Sequence, residues 1–542
     1  MSSDISLRPP FKISSILAAL RRIFFVLLFE ESRRNIFINI FVISIYAIIV
    51  VAAASHHVMW RDEVRALSIA LTGDSYPDML RALHGEGHPA IWYLLLRTAY
   101  AVFGSVTVLA GLALVVAVAA AALLVFLSPF PRILVILILA SQCFLYEYAV
   151  MARNYGIAAL VMFIIAAVYD RRKDRGIVIG LLLFILANTN LIAAIMVGPF
   201  LLFWLIEIVR REGLCWNPKL AHFTLNAVIA AVGILVCALT ILPTFNDAAA
   251  YNWSYGSPVV PALKALINPG DMAPGSLLAW NLPNAALRTA LLFGMTLGLL
   301  PRPGAFIAAV AGLGLLSIFS AVVAWSGERH AMVWLCFCIM LYWISWREIK
   351  GAFASLSRNR LTGVASLAGC LAFALVLVAQ ARHGFEIAKL AIRGSGFAAS
   401  SSAAFGGLIK ERPDLAHAVV IGEPDFMVEA LPYYASNPTY LLREGRFGNF
   451  VHFSRAGKLD ISLGDIVRVA RDIQTTSHAP VVVVLKHKIE DLQPDHLYHE
   501  GYNWTFSASE DDIKYFNNNF DKVARFDQSW GDENYDVYVI KS

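Results

Sequence analysis

Two adjacent carboxylates follow the first long apolar run of this 542-residue chain. They are Asp62 and Glu63, a few positions beyond the end of that run. A carboxylate that lipid and protein partly desolvate can take a proton as a general base, or bind a cation near a phosphate. The alternative is structural, because acidic residues in the first turn of a helix over 61–71 would stabilise its dipole. The spacing alone leaves both interpretations open.

A glycine-containing turn brings a histidine and a proline together at the end of the same loop. His88 and Pro89 follow Gly85-Glu-Gly87, and proline is well tolerated in the first turn of the helix predicted over 88–104. The imidazole could bind a phosphate or a sugar hydroxyl. The alternative is an ordinary helix start with an exposed ring.

Two further segments place an arginine beside a carboxylate near the membrane surface. Residues 146–155 hold Glu147 and Arg153 between two apolar runs, and residues 326–330 hold Arg329. An arginine there is costly unless it is paired or functional, and a guanidinium can bind two phosphate oxygens at once. Arg153 is therefore a candidate phosphate ligand. The alternatives are an Arg153–Glu147 pair that orders the turn, and simple interface anchoring by Arg329.

Long apolar segments must position these residues. The chain is 58% hydrophobic and only 15% charged, which excludes an ordinary soluble enzyme. A membrane span needs about 20 predominantly apolar residues. The pattern predicts a polytopic α-helical membrane protein with about eleven spans, at 36–54, 105–127, 132–147, 154–169, 176–190, 191–208, 221–243, 285–300, 304–325, 330–346 and 361–380.

Basic residues predict the orientation of these spans. The clusters in 170–175, 210–219 and 347–360 all face the cytoplasm if the apolar segment 88–104 does not cross the bilayer. We therefore expect 88–104 to be a helix along the outer membrane face. The predicted parts are a cytoplasmic segment 1–35, a transmembrane domain 36–380 with outer loops 55–104 and 244–284, and an extracytoplasmic domain 381–542. The protein would then be multi-pass in the cytoplasmic (inner) membrane, with its C-terminal domain on the periplasmic side.

Residues from 381 onward resemble ordinary globular sequence. Strand-like runs at 417–422, 480–485 and 535–540, with a helical stretch at 461–474, predict a small α/β domain. None of the six cysteines falls after residue 380, which excludes a disulfide-stapled tail. Cysteine and histidine spacings do not match a structural zinc site, so we expect no metal. The formal net charge of +5 is too small and too dispersed to indicate a nucleic-acid partner.

Three motifs in chain order resemble those of the GT-C superfamily of polyprenyl-phosphate-sugar glycosyltransferases. They are Asp62-Glu63, His88-Pro89-x-x-x-Tyr93 and Ala152-Arg-Asn-Tyr155, and the resemblance covers roughly residues 36–330. Protein O-mannosyltransferases, lipid A aminoarabinose transferases and rhizobial core galacturonosyltransferases belong to this superfamily. The resemblance implies juxtamembrane helices in the first outer loop. It also implies an enzyme that moves a sugar from a lipid-linked donor to a lipid, polysaccharide or protein acceptor.

The resemblance assigns roles to residues. It implies that Asp62 is the catalytic acidic residue, with Glu63 as its neighbour. Phosphate binding by arginine is implied at Arg153. The implied substrate-binding residues are His88, Glu147, Arg153, Tyr155 and Arg329. Relatives often carry an arginine at the outer end of the second span, where this chain reads Gly104-Ser-Val-Thr-Val-Leu109, so Arg97 or Arg329 would have to replace it.

The implied reaction is an inverting sugar transfer. Asp62 would take the proton of the acceptor hydroxyl, while Arg153, assisted by His88 and Arg329, would stabilise the departing phosphate. The polyprenyl-phosphate sugar is then the donor substrate and no cofactor is required, although Asp62 and Glu63 could also hold a divalent cation. The alternative from another class is a polytopic transporter or lipid flippase. Transporter sites tend to lie near the membrane midplane, whereas the candidates here lie at the outer surface, which favours the transferase.

The C-terminal domain has one segment that could take part. Residues 422–425 and 431–435 follow its first predicted strand, where α/β domains often build sites. They could help to recognise the acceptor, or they could be turn and packing residues of a stabilising domain.

Overall fold

The computed structural model describes most of the chain. The described residues are 35–84, 86–242, 257–278, 282, 284–324, 326–354, 360–394 and 398–541. The predicted cytoplasmic segment lies outside these ranges except for its last residue. Part of the predicted outer loop 244–284 also lies outside them.

The described chain up to residue 393 is helical. It forms fifteen α-helices: α1 (Ile36–Ser55), α2 (Arg61–Ala70), α3 (Tyr76–Ala82), α4 (Ile91–Phe103), α5 (Val108–Leu127), α6 (Arg132–Ala140), α7 (Tyr155–Arg172), α8 (Val178–Ala187), α9 (Leu191–Glu212), α10 (Pro218–Ile241), α11 (Val259–Ile267), α12 (Ala285–Thr296), α13 (Pro303–Val322), α14 (Glu328–Ala354) and α15 (Arg360–Arg393). A π-helical turn, Cys143–Glu147, follows α6.

Seven of the described helices are long and apolar enough to cross a membrane: α1, α5, α9, α10, α13, α14 and α15. The polytopic helical class is confirmed, but the count of eleven spans is not. Segments 132–147, 176–190 and 285–300 contain helices of only 9, 10 and 12 residues. Such helices rise about 14–18 Å, against about 30 Å of hydrocarbon. The fourth segment, 154–169, forms an 18-residue helix whose last turn is charged.

The helical bundle has two chemically different ends. Helix α7 begins at Tyr155 and ends at Arg172, about 27 Å away for its 18 residues. At the end near Arg172, Arg302 lies 3.2 Å from the Glu207 carboxylate and over the ring of Tyr169. Predicted cytoplasmic loops therefore meet at one end, called here the basic end. The opposite end is called here the α/β end, because the C-terminal domain contacts it.

Segment 88–104 begins and ends at the α/β end. Its first residue, His88, contacts Arg153 next to the start of α7. Just beyond its last residue, Val106 lines the same cavity as Phe450 of the C-terminal domain. The 13-residue helix α4 is also too short to span a bilayer alone. The prediction of a non-crossing helix in this segment is confirmed.

The C-terminal part is an α/β domain. Its strands are β1 (Val419–Glu423), β2 (Thr439–Leu441), β3 (Arg446–Phe447), β4 (Asp460–Ser462), β5 (Val481–Leu485), β6 (Tyr498–Gly501), β7 (Trp504–Ser507), β8 (Phe520–Phe526) and β9 (Tyr535–Ile540), and its helices are α16 (Ser402–Glu411), α17 (Leu463–Ser477) and α18 (Glu510–Asn519). The main sheet has the order β3-β2-β1-β5-β9-β8, and β4-β7-β6 form a second sheet. Strands β1 and β5 are parallel neighbours and buried throughout, as their continuous apolar runs predict.

Helix α15 continues past the predicted boundary at residue 380 and ends at Arg393. The helical part and the α/β domain then meet at helix α2. The backbone N–H of Met59 donates to the Tyr434 hydroxyl at 2.6 Å, and Arg65 pairs with Glu429 at 2.6 Å. The α/β domain is therefore seated on the loop that carries Asp62 and Glu63.

Candidate active site

Four chain segments converge at the α/β end of the bundle. They are the first turn of α2, the turn before α4, the turn before α7, and the first turn of α14. Each carries at least one residue predicted from the sequence: Asp62, Glu63, His88, Glu147, Arg153, Tyr155 and Arg329. The fold therefore places residues from distant parts of the sequence in one cluster.

Arg153 lies at the centre of this cluster. One terminal nitrogen, Nη1, pairs with Asp62 Oδ2 at 2.9 Å, and the other, Nη2, lies 2.9 Å from His88 Nε2. A guanidinium can only donate hydrogen bonds, so His88 accepts at Nε2 and is neutral. Burial and the neighbouring Arg153 charge lower the pKa of His88 to about 3, in agreement with this assignment. His88 therefore orients Arg153 and leaves it the local cation.

Asp62 is the accessible carboxylate of the pair. Its side chain remains 32% exposed, whereas that of Arg153 is only 11% exposed. Burial opposes ionisation of Asp62, but the charges of Arg153, Arg61 and Arg329 hold its pKa at about 2. Asp62 is thus an anion at neutral pH that a ligand can still contact.

Glu63 has a different position from its neighbour. It is fully buried, and Oε2 accepts from His57 Nε2 and from the Trp60 N–H, both at 2.9 Å. Oε1 accepts from the Ala152 N–H at 2.6 Å. Burial raises the pKa of Glu63, but His57 and these N–H donors lower it further than burial raises it. Glu63 therefore fastens α2 to the turn that holds Arg153, and its carboxylate does not share a cation site with Asp62.

A second polar group surrounds the first residues of α14. Arg329 Nε lies 3.8 Å from Glu147 Oε2, and the Tyr155 hydroxyl is 2.8 Å from His330 Nε2. The Arg329 guanidinium also lies over the Trp60 ring, 5.2 Å from its centroid. Glu147 thus pairs with Arg329, while Arg153 pairs with Asp62. The alternative of an Arg153–Glu147 pair in the turn is not what the structure contains.

Several buried polar atoms in this region lack hydrogen-bond partners among the described residues. They are Trp60 Nε1, Glu147 Oε2 and His330 Nδ1. An unsatisfied buried polar group costs about 1–3 kcal/mol, so such groups are rare unless they serve a purpose. They offer a donor, an acceptor and an imidazole nitrogen to a polar ligand beside the Asp62–Arg153 pair.

Arg97 serves a structural purpose. Its guanidinium donates to the carbonyls of Ala70, Thr72 and Gly73 at 2.9–3.1 Å. The last carbonyls of a helix have no partner within the helix, and Arg97 satisfies those at the end of α2. Of the two arginines considered as a second phosphate cation, Arg329 is the one in the cluster.

The comparisons with known proteins give two similar solved structures. One is ArnT from Cupriavidus metallidurans bound to undecaprenyl phosphate, with 15% identity, a TM-score of 0.45, and 92% of this chain and 97% of that chain covered. The other is the same protein in the apo state, with 13% identity, a TM-score of 0.44 and the same coverage. No protein-family model matches this chain, and neither does any curated protein. At this level of similarity, the proposal below rests on the chain's own residues.

The sequence analysis missed the residues that hold the cluster in place. His57 and Trp60 support Glu63, and Gln142 donates to Glu328 at 2.7 Å and to Glu147 at 3.4 Å. The position of His57 directly after the first span was a usable signal. Gln142 gave none, because a single polar residue in an apolar run does not reveal its partner.

Proposed function

We propose that this protein is a membrane glycosyltransferase that uses a polyprenyl-phosphate-linked sugar and acts at the outer face of the cytoplasmic membrane. The observation that carries this proposal is the accessible Asp62 carboxylate paired with the buried Arg153 beside a neutral His88. A base and a phosphate-binding cation are thus in contact at one end of a membrane bundle. Basic residues gather at the opposite end, which by the positive-inside rule assigns this end to the outside.

The reaction is a single displacement at the anomeric carbon of the donor sugar. The acceptor hydroxyl oxygen forms a bond to that carbon as the bond to the phosphate oxygen breaks, which inverts the configuration. The acceptor proton passes to Asp62, and the polyprenyl phosphate leaves with one additional negative charge. Arg153 and Arg329 stabilise that charge, and hydrogen-bond donors fixed in a poorly solvated site are effective in this role.

Donor binding would also activate the base. In the ligand-free protein Arg153 holds the pKa of Asp62 at about 2, which makes a weak base. A donor phosphate competes for the same guanidinium, and the burial of Asp62 then favours its protonated form. Asp62 therefore becomes more basic when the donor is bound. Proton uptake is coupled to the presence of the substrate.

A transporter or lipid flippase is the competing function. The Asp62–Arg153 pair lies in turns at the end of the bundle, whereas transporter sites usually lie near the midplane between broken helices. This position favours catalysis on a lipid headgroup at the membrane surface.

The deciding experiment uses the purified full-length protein in lipid nanodiscs with a panel of polyprenyl-phosphate sugars and acceptors. Mass spectrometry follows the conversion of each donor to polyprenyl phosphate. We expect transfer by the wild type and a 10²- to 10⁴-fold lower kcat for Asp62→Asn, as for loss of a general base. Asp74→Asn, an exposed carboxylate in the same loop, is the matched control and should retain full activity. No donor consumption across the panel, with movement of labelled lipid between vesicle leaflets, would favour transport.

A further inference from the structure

The tip of the β6–β7 hairpin is an unusual turn. Gly501 pairs with Trp504, so Tyr502 and Asn503 form a two-residue loop, with φ of 51° and 63°. Positive φ at both positions is the pattern of a type I′ turn, which favours Asn and Gly. A tyrosine is sterically disfavoured in this conformation. Nearby Phe453 also has a positive φ, of 51°. Strained backbone at two aromatic residues is typical of functional sites.

These aromatic residues form one cluster. The rings of Tyr502 and Phe453 have centroids 4.2 Å apart, and Trp504 lies 5.5 Å from Phe453. We call Phe453, Tyr502 and Trp504 the aromatic platform. Trp504 is buried, whereas Tyr502 is 48% exposed. The platform is therefore anchored inside the α/β domain and presents the tyrosine to the outside.

The platform lies beside the candidate active site. The Arg65 guanidinium stacks over Phe453, 4.8 Å from the ring centroid. Arg65 lies three residues after Asp62 in α2, so both side chains project from neighbouring positions on one helix face. Partial burial and the nearby Asp62 carboxylate raise the pKa of the Tyr502 hydroxyl. The exposed tyrosine and the candidate base are thus close in space, although they belong to different domains.

We propose that the aromatic platform binds a sugar residue of the acceptor, with the apolar face of the sugar ring on Tyr502 and the reacting hydroxyl toward Asp62. This inference rests on the proposed function. An aromatic face beside a carboxylate suits a sugar, because the C–H groups of the ring pack on the aromatic surface while its hydroxyls bind polar groups. The platform comes from the α/β domain, whereas Arg153 comes from a turn that leads into the membrane helix α7. The donor phosphate and the acceptor sugar then approach Asp62 from opposite sides.

The test exploits the conformation of the turn. Tyr502→Asn removes the ring while keeping a residue that tolerates positive φ, so the hairpin should fold normally. Tyr502→Phe retains the ring without the hydroxyl. Tyr515→Ala removes another exposed aromatic residue of the same domain, on α18, and serves as the matched control. All variants are full-length, and their thermal unfolding midpoints are compared with that of the wild type.

Steady-state kinetics are measured with an active polyprenyl-phosphate hexose, using methyl glycosides and a Ser/Thr peptide as acceptors. We expect Tyr502→Asn to raise the KM for the glycoside at least tenfold, with the donor KM and kcat within threefold of wild type. Tyr502→Phe and Tyr515→Ala should stay within threefold in all constants. An unchanged glycoside KM in Tyr502→Asn, or transfer only to the peptide, would overturn the platform while leaving the transferase intact. No transfer by the wild type to any acceptor would overturn both.

Discussion

Arg153 has two partners in the ligand-free protein, and it would gain a third in catalysis. Its separate contacts with Asp62 and His88 fix the guanidinium plane. A lysine at this position would supply one compact charge that cannot reach both groups in the same geometry. The pair therefore links the charge state of the base to the presence of an anion.

The acid limb of the pH profile reports this link. Replacing Arg153 by Gln removes a cation that holds the pKa of Asp62 at about 2, so that pKa must rise. A carboxylate with a higher pKa is protonated, and loses its function as a base, at a higher pH. We expect the acid limb of kcat/KM to move upward by one pH unit or more, together with a 10²- to 10³-fold loss of activity. Wild-type kcat/KM should be insensitive to Asp62 and His88 between about pH 5 and pH 8.

The control is Arg81→Gln, which removes an exposed arginine of α3 that pairs with Asp78. Its pH profile should coincide with that of the wild type. An Arg153→Gln profile with an unmoved acid limb would show that Asp62 is not the titrating base.

The sequence supplied the candidate residues better than it supplied their roles. Asp62, His88 and Arg153 were identified from residue type and motif order, and the fold brings them into contact. The separate positions of Asp62 and Glu63 could not be predicted. Adjacent residues on a helix project about 100° apart, and the sequence does not show which of the two directions is enclosed by other elements.

At the scale of elements, Glu63 is the cap that joins two of them. It completes a capping box at the start of α2, and it also receives the N–H of Ala152 in the turn before α7. Local helix capping and placement of Arg153 thus depend on one side chain.

Glu63→Ala should free that turn. The Ala152 N–H loses its acceptor, and we expect faster amide hydrogen exchange in residues 150–154, a loss of stability of about 1–3 kcal/mol and a lower kcat. The matched control is Asp78→Ala, which removes the equivalent residue of the Ser75–Asp78 capping box in α3. That variant should lose stability without changing exchange in residues 150–154. Equal exchange in both variants would contradict the positioning role of Glu63.

The number of membrane-spanning helices was overestimated because a hydropathy pattern reports composition and does not report helix continuity. Helix α6 ends before Ser141, and helix α8 ends before Asn188, although the apolar character continues on both sides. Those polar residues donate to nearby backbone carbonyls. The non-crossing segment 88–104 was predicted correctly because it depended on the distribution of charge over the whole chain.

For the whole molecule, the decisive feature is the contact of the α/β domain with α2. Arg65 is nearly buried between Glu86 and Glu429, at 2.6 Å from each, and Arg61 pairs with Asp532 at 2.6 Å. None of these pairings could be predicted, because the partners are far apart in the sequence and single charges do not identify their counterions. The α/β class of the domain was predictable, since its central strands are continuous apolar runs.

The stability of this contact should depend on pH. Burial raises the pKa of Glu429 to about 7 and that of Glu533 to about 8, despite the nearby arginines. The folded state then binds more protons than the unfolded state between about pH 5 and pH 8. Its free energy of unfolding must fall as pH rises through that range and level off above it.

We therefore expect the thermal unfolding midpoint to fall by several degrees between pH 6 and pH 9, with faster amide exchange in α2. The Glu429→Gln and Glu533→Gln double variant should show a flatter dependence, because neither amide titrates. A wild-type midpoint that rises with pH would exclude this account.

The contact between Arg61 and Glu533 also sets a timetable. The Arg61 N–H donates to a Glu533 side-chain oxygen 472 positions later in the chain. At about 5–20 residues per second, ribosomes would need about 25–95 s to synthesise the intervening chain. Throughout that interval the nascent protein holds Asp62 and Arg153 at the membrane without the domain that covers them. Completion of the last ten residues is thus the event that closes the site, and a chain released shortly before its natural end would be inserted but unfinished.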